Sequence, residues 1–282
     1  MPDPPGPSFD LVVATVDRPD ALRQLLRSLE RQSYRRFRVV LVDQSDDESA
    51  RAAAAGSTVE VVHVRAPRGL SRARNAGIVA TAADVLAFPD DDCEYPPDLL
   101  ERVAALLASR PDLAGVSGRT ADASGHASGR WHEEPGPIDR ENVWHRVNSA
   151  ALFLRRPTVL RIGGFDERLG LGSPEPWSSG EEVDLVVRAV DAGAVVEFDP
   201  SLVVLHPQPD LPTGQLAAIG RRDGASVGYV LRRHGYARGT VARMLVRPAG
   251  GAALSLLRGD VRRARFHAAT LRGRLQGYRR AA

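Results

Sequence analysis

The sequence predicts an α/β protein in which an open, mostly parallel sheet with flanking helices is followed by an arginine-rich helical region. Two observations predict this class. Apolar runs of strand length alternate with helical patterns four times in the first half of the chain, an order typical of parallel sheets with right-handed crossovers. Beyond residue 216 arginines dominate and acidic residues almost disappear. We therefore expect the sheet in residues 1–216 and basic helices in residues 217–282.

The individual elements follow from local patterns. The run FDLVVATV, which starts at Phe9, is apolar throughout, as a parallel strand buried on both faces should be. Pro19 lies in the first turn of the next helix, whose apolar residues recur at helical spacing at Leu22, Leu25, Leu26 and Leu29. The same reasoning assigns strands to FRVVLVD, VEVVHV and DVLAFPDDD, and helices to DDESARAAAA, GLSRARNAGIVATA and the stretch from Pro96 to Leu107.

Acidic residues follow three of the four predicted strands. Asp17 comes after the first strand, Asp43 ends the second, and Asp90, Asp91 and Asp92 follow the fourth. Parallel strands present their carboxyl ends at one edge, where open α/β sheets bind ligands. We therefore expect these carboxylates at the mouth of a site.

The residue types at this edge exclude two classes of nucleotide site. The turn ATVDRPD lacks the glycines of a dinucleotide fold, and no phosphate-binding loop of the form GxxxxGK[ST] occurs. Carboxylates spaced D-x-D instead suit Mg²⁺ or Mn²⁺, since such hard cations take one or two carboxylates and complete their shell with water and phosphate oxygens. The alternative is a solvated acidic turn.

Seven segments together resemble the family 2 glycosyltransferases. They occur in the family's order between residues 9 and 207: VVATVDRP, VVLVDQSDD, GLSRARNAG, FPDDD, GGFDERLG, SGEEVDLVVR and VEFDPSLVVLHP. The resemblance implies the GT-A fold, a Rossmann-like nucleotide-sugar-binding domain, and transfer of a sugar with inversion of its anomeric centre.

The resemblance also implies roles on the nucleotide side. Thr15 and Asp17 would lie near the nucleoside, and Asp43 would accept the N3–H of the base. Uracil and thymine both have that proton and guanine offers a comparable N1–H, so Asp43 narrows the donor without naming it, and a UDP- or dTDP-sugar is the favoured donor. Arg74 and Asn75 would face the diphosphate or ribose. Asp43 could instead be a strand-end cap, and Arg74 an ordinary surface arginine.

The metal would be bound next to the diphosphate. In the pattern of the family, Asp92 ligates the cation, whereas Asp90 or Asp91 reaches ribose or water. His206, at the end of a predicted strand, would complete the metal shell or contact the diphosphate, although a purely structural role is the alternative. Mg²⁺ or Mn²⁺ is the expected cofactor.

The catalytic base is expected in GEEVDL. The family usually shows Glu-Asp at this place, and here the pair is Glu181-Glu182, so Glu182 takes the position of the base. Asp184 is the alternative base, and Glu181 is assigned to the acceptor side. An acid-rich first turn that complements the helix dipole would explain the same residues without catalysis. Trp177, in the preceding loop, would stack on a sugar or pack in the core.

The implied reaction is hexosyl or deoxyhexosyl transfer to a saccharide or lipid-linked acceptor, in cell-wall, cell-surface polysaccharide or glycolipid synthesis. Nucleotidyl transfer would need a glycine-rich basic loop near the N-terminus, which the sequence lacks. A non-catalytic nucleotide-binding or membrane-tethered scaffold is the alternative from another class.

The last 66 residues carry a charge opposite to the rest. Residues 217–282 hold 15 Arg and 2 Asp, whereas residues 1–216 hold 23 Arg and 33 acidic residues. A seam with helical spacing runs through Leu257, Val261, Ala264, Ala268, Leu271, Leu275 and Tyr278. This helix could pack on the catalytic domain, lie on an anionic membrane, or form a dimer or nucleic-acid contact. The nucleic-acid partner is the least favoured because few aromatic residues are available to stack on bases.

The location of the protein is predicted from what the sequence lacks. It contains one cysteine, Cys93, so no internal disulfide forms, which suits a reducing compartment. Neither a signal peptide nor a transmembrane run is recognised. We expect a cytoplasmic protein, with the inner face of the plasma membrane as the alternative.

Overall fold

The computed structural model describes residues 6–127, 129–207 and 212–280. Within them the chain divides into two compact units. The sheet unit comprises 6–68, 72–127, 129–165 and 185–207, and the helical unit comprises 69–71, 166–184 and 212–280. The helical unit therefore holds more than the expected residues 217–282. The functional division after residue 216 stays a prediction.

The sheet unit is built on one mixed, mostly parallel sheet, which confirms the predicted class. In the described residues its strands are β1 (Phe9–Thr15), β2 (Phe37–Asp43), β3 (Val61–Arg65), β4 (Val85–Ala87), β5 (Gly115–Ala121), β6 (Gly136–Pro137), β7 (Leu152–Arg155) and β8 (Val196–Leu205). Their order is β3-β2-β1-β4-β7-β5-β8-β6. The four predicted strands form the parallel half, and β7 pairs antiparallel with both β4 and β5.

Helices connect these strands. They are α1 (Pro19–Glu30), α2 (Ser49–Ala54), α3 (Leu70–Val79), α4 (Leu99–Ser109), α5 (Arg156–Arg161) and α6 (Glu181–Asp191). Short 3₁₀ turns cover Val143–His145 and Ser149–Ala151. Helices α3 and α6 each begin in the helical unit and continue in the sheet unit.

The core of the sheet unit lies where the apolar patterns predicted it. Every residue of β1 except Ala14 is buried, including Asp10. The stripe of α1 at Leu22, Leu25, Leu26 and Leu29 packs in the same cluster as Phe9 and Leu11. Burial of each such side chain contributes about 1.5–3 kcal/mol, so this packing fixes the strand ends that carry the acidic residues.

The helical unit contains α7 (Thr213–Arg233), α8 (Arg238–Leu257) and α9 (Val261–Arg280). The predicted seam is split, because Leu257 ends α8 and Gly259, at φ +72°, reverses the chain before α9. No helix among the residues described here has the length and apolarity needed to cross a bilayer.

Helices α7 and α9 approach closely along glycines. The contact is lined by Gly220, Gly224 and Gly228 on α7 and by Gly273 and Gly277 on α9. A Cβ atom at any of the last four would overlap backbone of the facing helix. Of the three buried residues of α9, Ala264 belongs to the expected seam, whereas Gly273 and Gly277 do not. The contact with α7 is therefore made along glycines and not along the aliphatic residues of the seam.

Candidate functional site

The predicted acidic edge exists, because three strand ends meet there. Thr15 is the register partner of Asp43 at the ends of β1 and β2. Asp90, just beyond β4, forms an isolated bridge with Ala14. The expected donor-side residues of the first, second and fourth strands are thus brought to one edge of the sheet unit.

Cations and hydroxyls separate the charges of the three aspartates. Arg18 donates to Asp91 Oδ1 at 2.8 Å and to Asp92 Oδ2 at 2.6 Å, and Thr15 Oγ1 donates to Asp91 Oδ2 at 2.7 Å. Asp91 is the buried member, and burial raises its pKa to about 6 against the opposing effect of its hydrogen bonds. Thr15 and Arg18 therefore hold Asp91 in place, and Asp91 in turn positions Asp90 and Asp92, the two acids of the D-x-D motif on either side of it.

His206 completes this cluster. Its Nε2 lies 3.3 Å from Asp92 Oδ1 and 3.7 Å from Asp90 Oδ2. The pairing lowers the pKa of Asp92 well below its usual range and raises the pKa of His206. A backbone pair between Glu94 and Leu205 ties the acidic turn to the end of β8, which brings the histidine and the aspartates together.

The donor set fits a hard divalent cation that also takes ligands from phosphate. Carboxylate oxygens of Asp92 and Asp90 each lie within 3.7 Å of the same histidine nitrogen, Nε2 of His206. Among the described residues no group of three His, Cys, Asp or Glu side chains is arranged to hold a metal ion alone. A cation bound here would therefore need the nucleotide and water to supply its remaining ligands.

Arg74 lies behind the D-x-D turn. It is 1% exposed, its Nη2 donates to Asp90 Oδ1 at 3.0 Å, and its guanidinium lies over the ring of Phe165 at 5.3 Å. A surface arginine is therefore the wrong description of Arg74. Its charge is fixed against the acidic cluster.

Asn75 has a different environment. Its amide nitrogen donates to the carbonyl oxygen of Phe165 at 2.9 Å, and its Oδ1 accepts from the Phe165 N–H at 2.8 Å. Gly164 permits this pair, since a Cβ there would lie 2.6 Å from Asn75 Oδ1. Asn75 thus anchors the loop that contains GGFDERLG, and its role at the ribose stays a prediction.

Asp43 is fully buried and accepts several hydrogen bonds. The Ser45 N–H donates to Oδ1 at 2.9 Å, Arg65 donates to Oδ2 at 2.8 Å, and His63 Nε2 lies 3.0 Å from the same oxygen. Burial would raise the pKa of Asp43, but these bonds outweigh it and hold the pKa below its ordinary value. Asp43 is therefore an anchored carboxylate. Of these contacts, one is made by Oδ1 and two are made by Oδ2.

Asp17 lies at the rim of the same edge. Its φ of +53° is the left-handed conformation that non-glycine residues seldom adopt. Its N–H donates to Ser45 Oγ at 3.0 Å, and Arg68 bridges its carboxylate to that of Asp46. The turn after β1 is thus tied to the turn after β2.

The acid-rich start of α6 belongs to the helical unit. Glu181 is 5% exposed and Asp184 is 1% exposed, whereas Glu182 is partly exposed. Asp184 Oδ1 lies 2.8 Å from His234 Nε2 at the end of α7. Asp184 therefore links two helices, which weakens its candidacy as base relative to Glu182.

Trp177 is packed in the helical unit. Its ring stacks on that of Tyr229 with centroids 4.8 Å apart, and Arg168 lies over the Tyr229 ring. The indole Nε1 is buried and has no hydrogen-bond partner within the described part of the chain. The core-packing alternative therefore accounts for one face of this ring, and contact with a sugar stays a prediction.

Three further residues at the site were not predicted from the sequence. They are cationic or imidazole side chains that contact the predicted carboxylates: Arg18 contacts Asp92, and both His63 and Arg65 contact Asp43. Strand register could have indicated Arg65, because it is the β3 partner of Asp43. Arg18 directly follows the first strand-end acid, where a counter-ion to an acidic cluster is expected.

Comparison with known proteins gives a consistent result. The family described as Glycosyl transferase family 2 matches residues 10–162. The chain is 31% identical over 220 residues to the pre-mycofactocin glycosyltransferase of Mycobacterium tuberculosis, a match that covers 72% of this chain and 44% of that protein. It is 28% identical over 255 residues to the succinoglycan biosynthesis protein ExoM of Rhizobium meliloti, a match that covers 86% of this chain and 77% of that protein. The chain thus spans less than half the length of the first of these relatives.

A solved structure shows the same fold. The mannosyltransferase PcManGT from Pyrobaculum calidifontis, in complex with GDP-Man and Mn²⁺, aligns with a TM-score of 0.68 at 17% identity. The alignment covers 96% of this chain and 87% of that one.

Proposed function

Because this chain belongs to glycosyl transferase family 2 and is a glycosyltransferase, we propose that it transfers a sugar from a nucleoside-diphosphate sugar to an acceptor hydroxyl with inversion. The observation that carries the proposal is the convergence of Asp43, Asp90, Asp91 and Asp92 at one sheet edge with fixed cationic partners. A solvated acidic turn would not need a buried arginine behind it. The non-catalytic scaffold is the alternative function.

The phosphate end of the donor is assigned to the D-x-D turn. Asp92 and His206 would hold Mg²⁺ or Mn²⁺, with Asp90 reaching ribose or a metal-bound water. The cation, when bound, would neutralise the charge of the departing diphosphate. The protein itself would contribute the guanidinium groups of Arg18 and Arg74, which are fixed next to the D-x-D turn. The Mn²⁺ that accompanies GDP-Man in the PcManGT complex supports a divalent cation here.

The base end of the donor is assigned to Asp43. Oδ2 accepts from Arg65 and lies 3.0 Å from His63 Nε2, whereas Oδ1 accepts the Ser45 N–H, so the N–H of the base is assigned to Oδ1. Uracil and thymine each present one such N–H between carbonyls, whereas guanine presents an N–H beside an amino group. This arrangement favours a UDP- or dTDP-sugar, with Thr15 and Asp17 near the nucleoside.

Proton transfer from the acceptor is assigned to Glu182. Of the three acids at the start of α6, Glu182 is the one that is not buried, and a base must reach its proton within hydrogen-bond distance. Glu182 removes the hydroxyl proton, the oxygen attacks the anomeric carbon opposite the nucleotide, and the diphosphate departs. Trp177 and Glu181 would border the acceptor.

The acceptor is proposed to be a saccharide or a lipid-linked saccharide in cell-surface polysaccharide or glycolipid synthesis. The similarity to ExoM, a succinoglycan biosynthesis protein, supports this class. Catalysis at the inner face of the plasma membrane would place the enzyme beside such an acceptor.

Calorimetry of nucleotide binding tests the proposal. UDP, dTDP and GDP would each be titrated with and without Mn²⁺ into the wild type, Asp92→Ala and the control Asp98→Ala, which removes an exposed carboxylate of the same type from the start of α4. We expect metal-dependent binding of UDP or dTDP that is lost only in Asp92→Ala. Absence of binding by every nucleotide would leave the scaffold as the better account.

A further inference from the structure

Helix α8 has two apolar faces. One, formed by Val241, Met244 and Pro248, is buried. The other is exposed and recurs at spacings of four and three residues through Ala242, Val246, Ala249, Ala253 and Leu256, with Leu257 beside it. A helix of a globular protein normally has one apolar stripe, so the second face requires its own explanation.

Large exposed aliphatic residues concentrate on this face and on the turn after it. Val246 is 65% exposed, Leu256 61% and Leu257 85%, and Val261 beyond the turn is 52% exposed. With Leu254, these are five of the nine large hydrophobic residues exposed in the described part of the chain. Singly exposed residues are ordinary, but a contiguous group marks an interaction surface.

The charge around this surface has one sign. No acidic residue occurs between Asp223 and Asp260, and α8 itself contains none. Arg243 and Arg247 flank the exposed face at helical spacing, and Arg258, Arg262 and Arg263 surround the turn. Aliphatic side chains bordered by arginines match the two layers of an anionic membrane surface, acyl chains beneath phosphates.

We propose that the exposed face of α8 and the turn to α9, here called the α8 face, bind the surface of an anionic lipid bilayer. The contact would lie in the interfacial plane of the bilayer, where an apolar face bordered by arginines is buried to the depth of the headgroups. The arginine side chains can extend along the apolar surface and place their guanidinium groups at the phosphates.

A second copy of this chain fits the α8 face less well. Symmetric pairing would bring two like-charged surfaces together, each from a region with 15 Arg and 2 Asp. Nucleic acid also fits poorly, because α8 contains no aromatic residue to stack on bases. A lipid surface supplies both the negative charge and the apolar layer. If the proposed function holds, the contact would bring the enzyme to a lipid-linked acceptor.

Vesicle flotation tests this surface without an activity measurement. The full chain would be mixed with vesicles of phosphatidylcholine alone, or of phosphatidylcholine and phosphatidylglycerol in equal parts. We expect the wild type to float with the anionic vesicles only, and binding to weaken as salt is raised, because exposed charges are screened.

Two double variants separate the apolar and the charged contributions. Val246→Ser with Leu257→Ser should lower the partition coefficient at least about tenfold, since two aliphatic groups no longer insert. Arg258→Gln with Arg263→Gln should lower it about 25-fold, at about fivefold per arginine near the surface. The matched control, Val79→Ser with Leu160→Ser, removes one exposed valine and one exposed leucine from the sheet unit and should bind as the wild type does.

The possible contrary outcomes are distinct. Failure of the wild type to float with anionic vesicles would overturn the proposal. Loss of binding in the arginine variant with full binding in the Val246/Leu257 variant would indicate a purely electrostatic contact and reject the apolar face. Concentration-dependent dimerisation in sedimentation velocity, abolished by the Val246/Leu257 variant alone, would identify a dimer interface instead. None of these results depends on sugar transfer, so the proposed function can fail independently.

Discussion

At the scale of single residues, the central question is how three consecutive aspartates coexist beside a buried strand. The structure answers it with separate partners. Arg74 holds Asp90, Thr15 and Arg18 hold Asp91, and Arg18 and His206 hold Asp92. The cluster is therefore preorganised, because the repulsion between neighbouring carboxylates is offset before any ligand arrives.

The assignment of the base yields a residue-scale prediction. Glu182→Gln keeps the size of the side chain but cannot accept a proton, so we expect kcat to fall about 10²–10⁴-fold, the usual contribution of a general base. Nucleotide affinity should be unchanged. The measurement is release of nucleoside diphosphate from whichever nucleotide sugar calorimetry selects, with a mixture of saccharides as acceptors.

Two neighbouring variants serve as controls for Glu182. Glu181→Gln should retain most of the activity. Asp184→Asn breaks a buried pair with His234 and should lower the free energy of unfolding by about 1–3 kcal/mol, while the folded fraction keeps its kcat. If Asp184→Asn instead abolished turnover without a loss of stability, Asp184 would be the base.

At the scale of elements, the tight contact of α7 and α9 depends on glycine. Gly277→Ala would place a Cβ against the backbone carbonyl of Ala225, so the two helices must separate. We expect a loss of more than about 2 kcal/mol in the free energy of unfolding, at the upper end of overpacking costs, measured by urea denaturation.

Helix propensity alone predicts the opposite sign, and Gly250→Ala is the matched control. Gly250 lies inside α8 and a Cβ there meets nothing within 4 Å. Alanine should therefore stabilise the chain by about 0.5–1 kcal/mol. Equal effects of the two substitutions would mean that the close approach of α7 and α9 is not under steric control.

The elements also show which sequence patterns are informative. The strands β1 to β4 were predictable because short, valine-rich apolar runs alternate with longer segments of helical pattern. The contact of α9 with α7 was not, because glycine carries no hydropathy and a close backbone contact leaves no apolar pattern. A serine at the start of α3 is a plausible helix cap, but the hydroxyl of Ser71 donates to the carbonyl of Leu169. This contact spans 98 residues, and no local pattern encodes it.

At the scale of the whole molecule, the sequence located the acidic edge but not its counter-ions. The crossover connections make the first four strands parallel, so Asp43 and Asp90, which follow two of them, could be assigned to one edge. The partners Arg18, His63 and Arg65 depend on side-chain directions that only the folded chain defines. The same limit applies to Asn75, whose contact with Phe165 required a loop 90 residues away.

Two buried aspartates whose pKa values are shifted in opposite directions, Asp10 and Asp91, determine the predicted pH dependence of stability. Burial would raise the pKa of Asp10, but Arg38 and the N–H groups of Ala82 and Ala83 outweigh it and lower the pKa. Its contribution to stability is therefore fully present above the unfolded pKa of about 3.9 and is lost as the pH falls through the lower native value. Asp91, with a pKa of about 6, behaves in reverse. Its contribution is present below pH about 3.9 and is lost as the pH rises through 6.

Urea denaturation of two variants between pH 3 and pH 7 separates these effects. Asp10→Asn should destabilise the chain most above pH about 5, with a penalty that shrinks below pH about 4 as the wild-type carboxylate becomes protonated. Relative to wild type, Asp91→Asn should gain about 2–3 kcal/mol between pH 4 and pH 7, since asparagine avoids the cost of ionising a buried acid. The difference curves of the two variants should therefore slope in opposite directions. A flat curve for Asp91→Asn would show that Asp91 ionises as easily as a surface carboxylate, and a curve parallel to that of Asp10→Asn would show that the fold lowers the pKa of Asp91.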